Sequence, residues 1–288
     1  MLLNSFTGNR NIKESLLGAL ASGRLSHGLL LRGEKGMGVN HFAYLLAADI
    51  IGTQDVQAVI EGKNPQVISI RGEGASGMIR VERIRQLNES VSYSSISGEK
   101  RVVIIHNCEN FNPSSANALL KNLEEPKNDT TYILTTNNLQ AILATIRSRC
   151  GVYTLASPSR QEVAAYFARK NADMAMVDSL MAIYGENIGK IENALNSEKR
   201  YAILQNAVAV YNMVRAKDSY GIAKACYVYV KAKDDLRLFM EDLRDICHGN
   251  LSEKSIQAIQ VIHKYTEILK TNVNINLALE NFAVEISK

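Results

Sequence analysis

Four short apolar runs punctuate the first half of the chain: Leu29–Leu31, Val67–Ile70, Val102–Ile105 and Tyr132–Leu134. Each is apolar at consecutive positions, so both faces call for burial, as in strands of a parallel sheet covered by helices. Segments of helical period lie between them. Phe42 to Ile51 is one; Val81, Ile84, Leu87 and Val91 repeat at helical spacing in another. Asn112–Pro113 reads as an N-cap followed by proline at the first helical position. Ala116, Leu119, Leu120 and Leu123 then form one apolar face, and Pro126 follows directly. Strand, helix and strand in this order predict an α/β domain: a parallel sheet with helices on both faces.

After Ser157–Pro158 no strand pattern of that quality remains. Helical patterns cover Gln161–Arg169, Met176–Tyr184, Lys190–Leu195, Ala202–Val214, Ile222–Val230, Leu236–Ile246, Ile256–Leu269 and Ile275–Ile286. Gly185 and Gly189 are expected to break the early ones, Asp218–Ser219 and Gly249–Asn250 the later ones. The expected organisation is an α/β domain over 1–157, a small helical domain over 158–205 and an all-helical domain over 206–288.

Bulk composition changes this picture little. A chain of 288 residues that is 46% apolar can build large cores, and a net charge of +4 makes neither a basic nucleic-acid arm nor an acidic tail. The four cysteines, Cys108, Cys150, Cys226 and Cys247, form no C-x-x-C pair, so no zinc ribbon is readable. No apolar stretch approaches ~18 residues, and the first residues lack a leader pattern. A reduced, cytoplasmic protein without a membrane span is expected.

Candidate chemistry begins at GEKGMGVN, Gly33 to Asn40. The segment follows an apolar run and opens a helix, where a phosphate-binding loop reads G-x-x-x-x-G-K-[ST]. Gly33, Gly36 and Gly38 permit the tight turn, but Val39 stands in the lysine's place and Asn40 in the hydroxyl's. A second element fails in parallel. VVIIHNCENF, Val102 to Phe111, is an apolar strand that ends in His106 and Asn107, where ATPases carry Asp-Glu. Without charge neutralisation and a held Mg²⁺, ATP hydrolysis by this chain alone is not expected. Another reading makes His106 a zinc or catalytic histidine; Cys108 is its only near neighbour of ligand type.

The segments SSANALLKNLEEP, TTYILTTNN and ATIRSRC, between Ser114 and Cys150, resemble bacterial clamp-loader subunits of the AAA+ class. GRLSHGLLLRG, Gly23 to Gly33, and LKTNVNINLALENF, Leu269 to Phe282, are similar to the segment before that family's P-loop and to the last helix of its collar domain. The resemblance implies an AAA+ domain, a helical lid and a helical collar. It also implies a non-hydrolysing subunit type of the DNA polymerase III loader, with the P-loop lost and Ser-Arg-Cys kept. That subunit would sit in a hetero-pentameric complex with ATPase subunits and a delta-like subunit, acting on a sliding clamp and on primer–template DNA. The runner-up within the family is a divergent ATPase subunit.

By the same resemblance Arg149 becomes an arginine finger acting in trans on a neighbour's ATP; read from the residues alone, it is a strand-end arginine in a surface ion pair. Ser148 and Cys150 would shape its turn, Cys150 as a packed thiol. Asn137 aligns with the γ-phosphate sensor, with a structural role as the other reading. Arg80, Arg83 and Arg85 are expected to cluster on one helix, either touching DNA phosphates or forming a solvated face. The family's usual four-cysteine zinc module has no counterpart in residues 50–66, so zinc is not expected, and with Val39 and Asn40 in the loop bound ATP is not expected as a cofactor either.

Overall fold

The computed structural model describes residues 1–74, 77–93, 100–127, 129–250 and 252–288, without the side chains of 92 and 93. The chain divides into two compact units, Met1–Val163 and Ala164–Lys288.

The first unit holds β1 (Gly28–Arg32), β2 (Val67–Ile70), β3 (Arg101–Ile105), β4 (Thr130–Thr136) and β5 (Gly151–Thr154). All pairings are parallel, in the order β2-β3-β4-β1-β5. Its helices are α1 (Arg10–Ala21), α2 (Val39–Ile51), α3 (Val56–Ile60), α4 (Val81–Tyr93), α5 (Pro113–Glu124) and α6 (Ala144–Arg147). The consecutive apolar positions do face both ways. Leu29, Leu31, Val102, Ile104 and Ile133 join α1 and α2 in one core. Leu30, Val103, Ile105, Tyr132 and Leu134 join α4 and α5 in the other. Asn112 caps α5, its side chain accepting from the Ser115 N–H, with Pro113 at the first helical position.

One strand is absent from the sequence pattern. β5 is a four-residue edge strand with alternating half-buried and exposed positions, too polar to register as an apolar run.

α7 (Arg160–Arg169) leads the chain into the second unit. There α8 (Met174–Tyr184), α9 (Ile188–Asn196), α10 (Glu198–Ala216), α11 (Ser219–Tyr227), α12 (Lys233–Gly249), α13 (Glu253–Ile268) and α14 (Ile275–Ile286) follow. Side-chain caps set most of their starts: Asp173, Asn187, Ser197, Asp218, Ser252 and Asn274 each accept a first-turn N–H. Two expectations change for this reason. Asp218 starts α11 three residues before Ile222, and α11 correspondingly ends at Tyr227. Asn187 starts α9 ahead of Gly189, which lies inside the helix instead of breaking it. Residue 205 falls within the continuous α10.

A polar cluster lies in the core of this unit. Asp242 of α12 is fully buried. It accepts from the Tyr184 hydroxyl at 2.8 Å and from Arg200 through both terminal nitrogens. Lys190 pairs with Asp245 one turn further along α12. Among the described residues, no helix is long and apolar enough to cross a membrane.

Candidate functional site

β1 ends at the glycine-rich turn. The Gly33 N–H donates to the Thr136 carbonyl, which ties the turn to the end of β4. Gly36 and Gly38 take φ of 90° and 75°, and Gly38 is the N-cap of α2. The loop geometry of a phosphate site is therefore present. Its chemistry is not. Val39 is buried, and its Cγ2 would lie 2.4 Å from a Cβ built on Gly33. The side chain that replaces lysine thus folds back under the loop.

Asn40 and His106 stand where Mg²⁺ ligation would need a hydroxyl and a carboxylate, and they bond directly to each other. His106 Nδ1 lies 2.8 Å from Asn40 Oδ1, which assigns the proton to Nδ1. His106 Nε2 then faces the hydroxyls of Tyr44 at 3.1 Å and Ser69 at 3.0 Å. Arg71 donates to the Tyr44 hydroxyl at 2.6 Å, and Thr135 donates to Asn40 Oδ1 at 3.0 Å. The Asn107 backbone N–H reaches Thr135, and Asn107 itself sits in the left-handed region. Residues 66 positions apart have therefore become partners in a closed polar network. Neither His106 nor Asn107 offers a carboxylate, and the nitrogen- and amide-based set does not suit Mg²⁺, a hard cation. No group of three or more His, Cys, Asp or Glu able to hold a metal occurs among the described residues.

Burial, and then the Arg71 charge, lower the His106 pKa to about 4. Between pH 6.5 and 4 the unfolded state binds a proton that the folded state refuses, so stability falls as pH falls through that window. The loss is expected to reach roughly 3 kcal/mol at its acid end. Urea unfolding of the wild type and of His106→Gln at a series of pH values checks this. The variant should lack that component of the slope.

Arg149 follows α6 in the turn that leads to β5, and its backbone is held hard against β1. A Cβ on Gly28 would meet the Arg149 carbonyl at 2.9 Å and Cys150 Sγ at 3.3 Å, so only glycine fits there. The guanidinium, about one third exposed, pairs with Glu124 at 2.5 Å and donates to the Thr145 carbonyl at 2.9 Å. In this chain by itself, Arg149 is thus ion-paired. Ser148 donates to the Thr145 carbonyl and approaches Arg149 at 3.5 Å. Burial pushes the Cys150 thiol up to about 11 and the fully buried Cys108 thiol up as well, which leaves both as packed thiols at neutral pH.

Asn137 is exposed one residue beyond β4. Arg80 precedes α4, whereas Arg83 and Arg85 lie on it, so the expected single-helix cluster holds for two of the three. All three are exposed, and Arg83 pairs with Glu73 at 3.4 Å. Glu124, the partner of Arg149, lies within SSANALLKNLEEP. Helix position alone gave no signal that it would meet Arg149, 25 residues later in the chain.

A five-stranded parallel sheet in this order, with a P-loop turn after β1 and helical regions following, places the protein among AAA+ folds. Residues 8–159 match the family model described as DNA polymerase III, delta subunit, and the chain belongs to that family. It is 29% identical over 168 residues to the DNA polymerase III subunit delta' of Escherichia coli (strain K12), covering 54% of this chain and 50% of that protein. It is 25% identical over 293 residues to the DNA polymerase III subunit gamma of Buchnera aphidicola subsp. Baizongia pistaciae, covering 98% of this chain and 73% of that one. The matched part thus spans about half the length of the delta' relative. A solved DNA polymerase III gamma subunit-related protein from Thermotoga maritima has the same fold. Its TM-score is 0.60 at 20% identity, over 95% of this chain and 99% of that one.

Proposed function

We propose that this chain is a delta'-type, non-hydrolysing subunit of a DNA polymerase III clamp loader, supplying Arg149 in trans to a neighbour's ATP. The observation that carries the reading is the contrast between two sites in one domain. The nucleotide site has its lysine, hydroxyl and acidic positions filled by Val39, Asn40, His106 and Asn107. Asn40 and His106 bond to each other there. The Ser148–Arg149–Cys150 turn, in contrast, is kept on a rigid backbone. A domain with this pair of sites is suited to lending an arginine and not to hydrolysing ATP itself.

In this reading the α/β domain presents the arginine, α7 to the first half of α10 form the lid, and the remaining helices form the collar that joins the ring. Partners are the ATPase subunits and a delta-like subunit, with the sliding clamp and primer–template DNA reached through the complex. Arg80, Arg83 and Arg85 are candidates for phosphate contacts there. Such contacts would be sequence-independent and weaken with salt.

The length of the match to a gamma subunit favours a second reading, a divergent ATPase. Turnover separates the two. The purified chain is expected to hydrolyse no ATP above a mock preparation. Val39→Lys with Asn40→Thr should not restore activity, because His106 still stands where the metal needs a carboxylate. Turnover by the chain alone, abolished by loop substitution, would replace the first reading with the second.

A further inference from the structure

We infer that Glu124 is a positioning residue for Arg149, holding the guanidinium in a restricted set of rotamers before a neighbour's phosphate arrives. The inference rests on the proposed role of Arg149 in trans. Three observations carry it.

First, Glu124 is the last residue of α5, where the negative end of the helix dipole disfavours a carboxylate. A carboxylate kept there calls for a compensating cation, and Arg149 Nη2 supplies it at 2.5 Å. Second, both partners stand on fixed backbone. Leu123, one residue before Glu124, is buried, and its carbonyl lies 2.7 Å from His27 Nε2. The same Leu123 packs within 3.5 Å of a Cβ position on Gly28, the residue against which the Arg149 carbonyl is pressed. The end of α5, the start of β1 and the arginine turn are therefore one packed block. Third, the two contacts divide the guanidinium. Nη2 meets Glu124 and Nη1 donates to the Thr145 carbonyl. Of its five N–H groups, those two contacts leave others to donate to a phosphate. A carboxylate and a carbonyl can thus hold the arginine without exhausting it.

The physical gain is preorganisation. A free arginine loses much rotamer freedom when it docks, and a group already restrained loses less. Orientation of this kind raises the rate of the chemical step more than it raises affinity for ATP.

The test is a double-mutant cycle in the reconstituted loader, with its ATPase subunits, clamp and primed DNA. Wild type, Glu124→Ala, Arg149→Ala and the double variant are compared, with melting of each isolated chain as a folding control. Glu124→Ala is expected to lower kcat about three- to tenfold, with KM for ATP little changed. It should have no further effect when Arg149 is already alanine. Glu124→Gln, which keeps an acceptor, should fall between. A Glu124→Ala rate equal to or above wild type, while Arg149→Ala is slow, would overturn the inference and leave the proposed function standing. Equal fractional losses in both backgrounds would make Glu124 structural and overturn it too. A rate untouched by Arg149→Ala would remove the role in trans itself.

Discussion

Replacing Arg149 with alanine is expected to cut ATP turnover at the neighbouring site by a factor on the order of 10³, with assembly of the complex intact. An arginine supplied in trans to a transferring phosphoryl group contributes ~10³–10⁵ in rate in the GTPases where it is best understood. The lower end is taken because, in the proposed assembly, the neighbouring subunit would supply its own P-loop lysine and Mg²⁺. Folding should survive. The ion pair with Glu124 is about half exposed on the Glu124 side, and pairs of that kind contribute ~1 kcal/mol or less. A melting curve within a few degrees of wild type therefore separates chemistry from stability. Arg149→Lys should recover only a small part of the rate, because an ammonium keeps the charge but not the planar fork. Single-turnover hydrolysis by the reconstituted complex, triggered by clamp and primed DNA, is the measurement. An unchanged rate for Arg149→Ala would leave the chain as a scaffold, with Arg149 serving its local contacts to Glu124 and Thr145.

The sheet was legible in the sequence because its central strands are buried on both faces, and such strands leave consecutive apolar runs. β5 was not: it alternates half-buried and exposed positions, whereas β2, at the other edge of the sheet, still has three apolar residues in four. The failed nucleotide site was legible as a set of missing residue types. What replaced it was not. Nothing local indicates that His106, just beyond β3, would bond to Asn40 and Tyr44 of α2 and to Ser69 of β2. The helical unit shows the same division. Helical periodicity located α8, α9 and α13, but their starts, set by the caps Asp173, Asn187 and Ser252, lie two to three residues earlier than the periodicity alone indicates. Asp242, within Leu236–Ile246, reads as an ordinary polar position on an amphipathic helix. Its burial depends on Tyr184 and Arg200, 58 and 42 residues away. Arg149 stands between these cases. Its motif is local, whereas its partner Glu124 is a consequence of packing.

Arg200→Ala is expected to lower the unfolding free energy of the helical unit by about 3–5 kcal/mol near neutral pH. Asp242 is fully buried, and Arg200 is the cation that its two oxygens meet. Burial already pushes the Asp242 carboxyl above its ordinary value, against the pull of Arg200 and the Tyr184 hydroxyl. Without Arg200 that opposition largely disappears, and the carboxyl will take up a proton in the folded state at a pH where the unfolded chain is ionised. A folded pKa raised above the unfolded one gives stability that is present in acid and lost as pH rises. The deficit of Arg200→Ala relative to wild type should therefore widen from pH 5 to pH 8. Asp242→Asn should cost less, about 1–3 kcal/mol, since an amide still accepts from Tyr184 and the orphaned Arg200, 12% exposed, has a route to water. Replacing both by apolar residues, as in Arg200→Met with Asp242→Leu, should return part of the loss, because no buried charge remains to be solvated. The chain has no tryptophan, so circular dichroism in urea is the suitable probe. If Arg200→Ala costs no more than the exposed Arg237→Ala at pH 8, the buried pair is not what holds α8, α10 and α12 together.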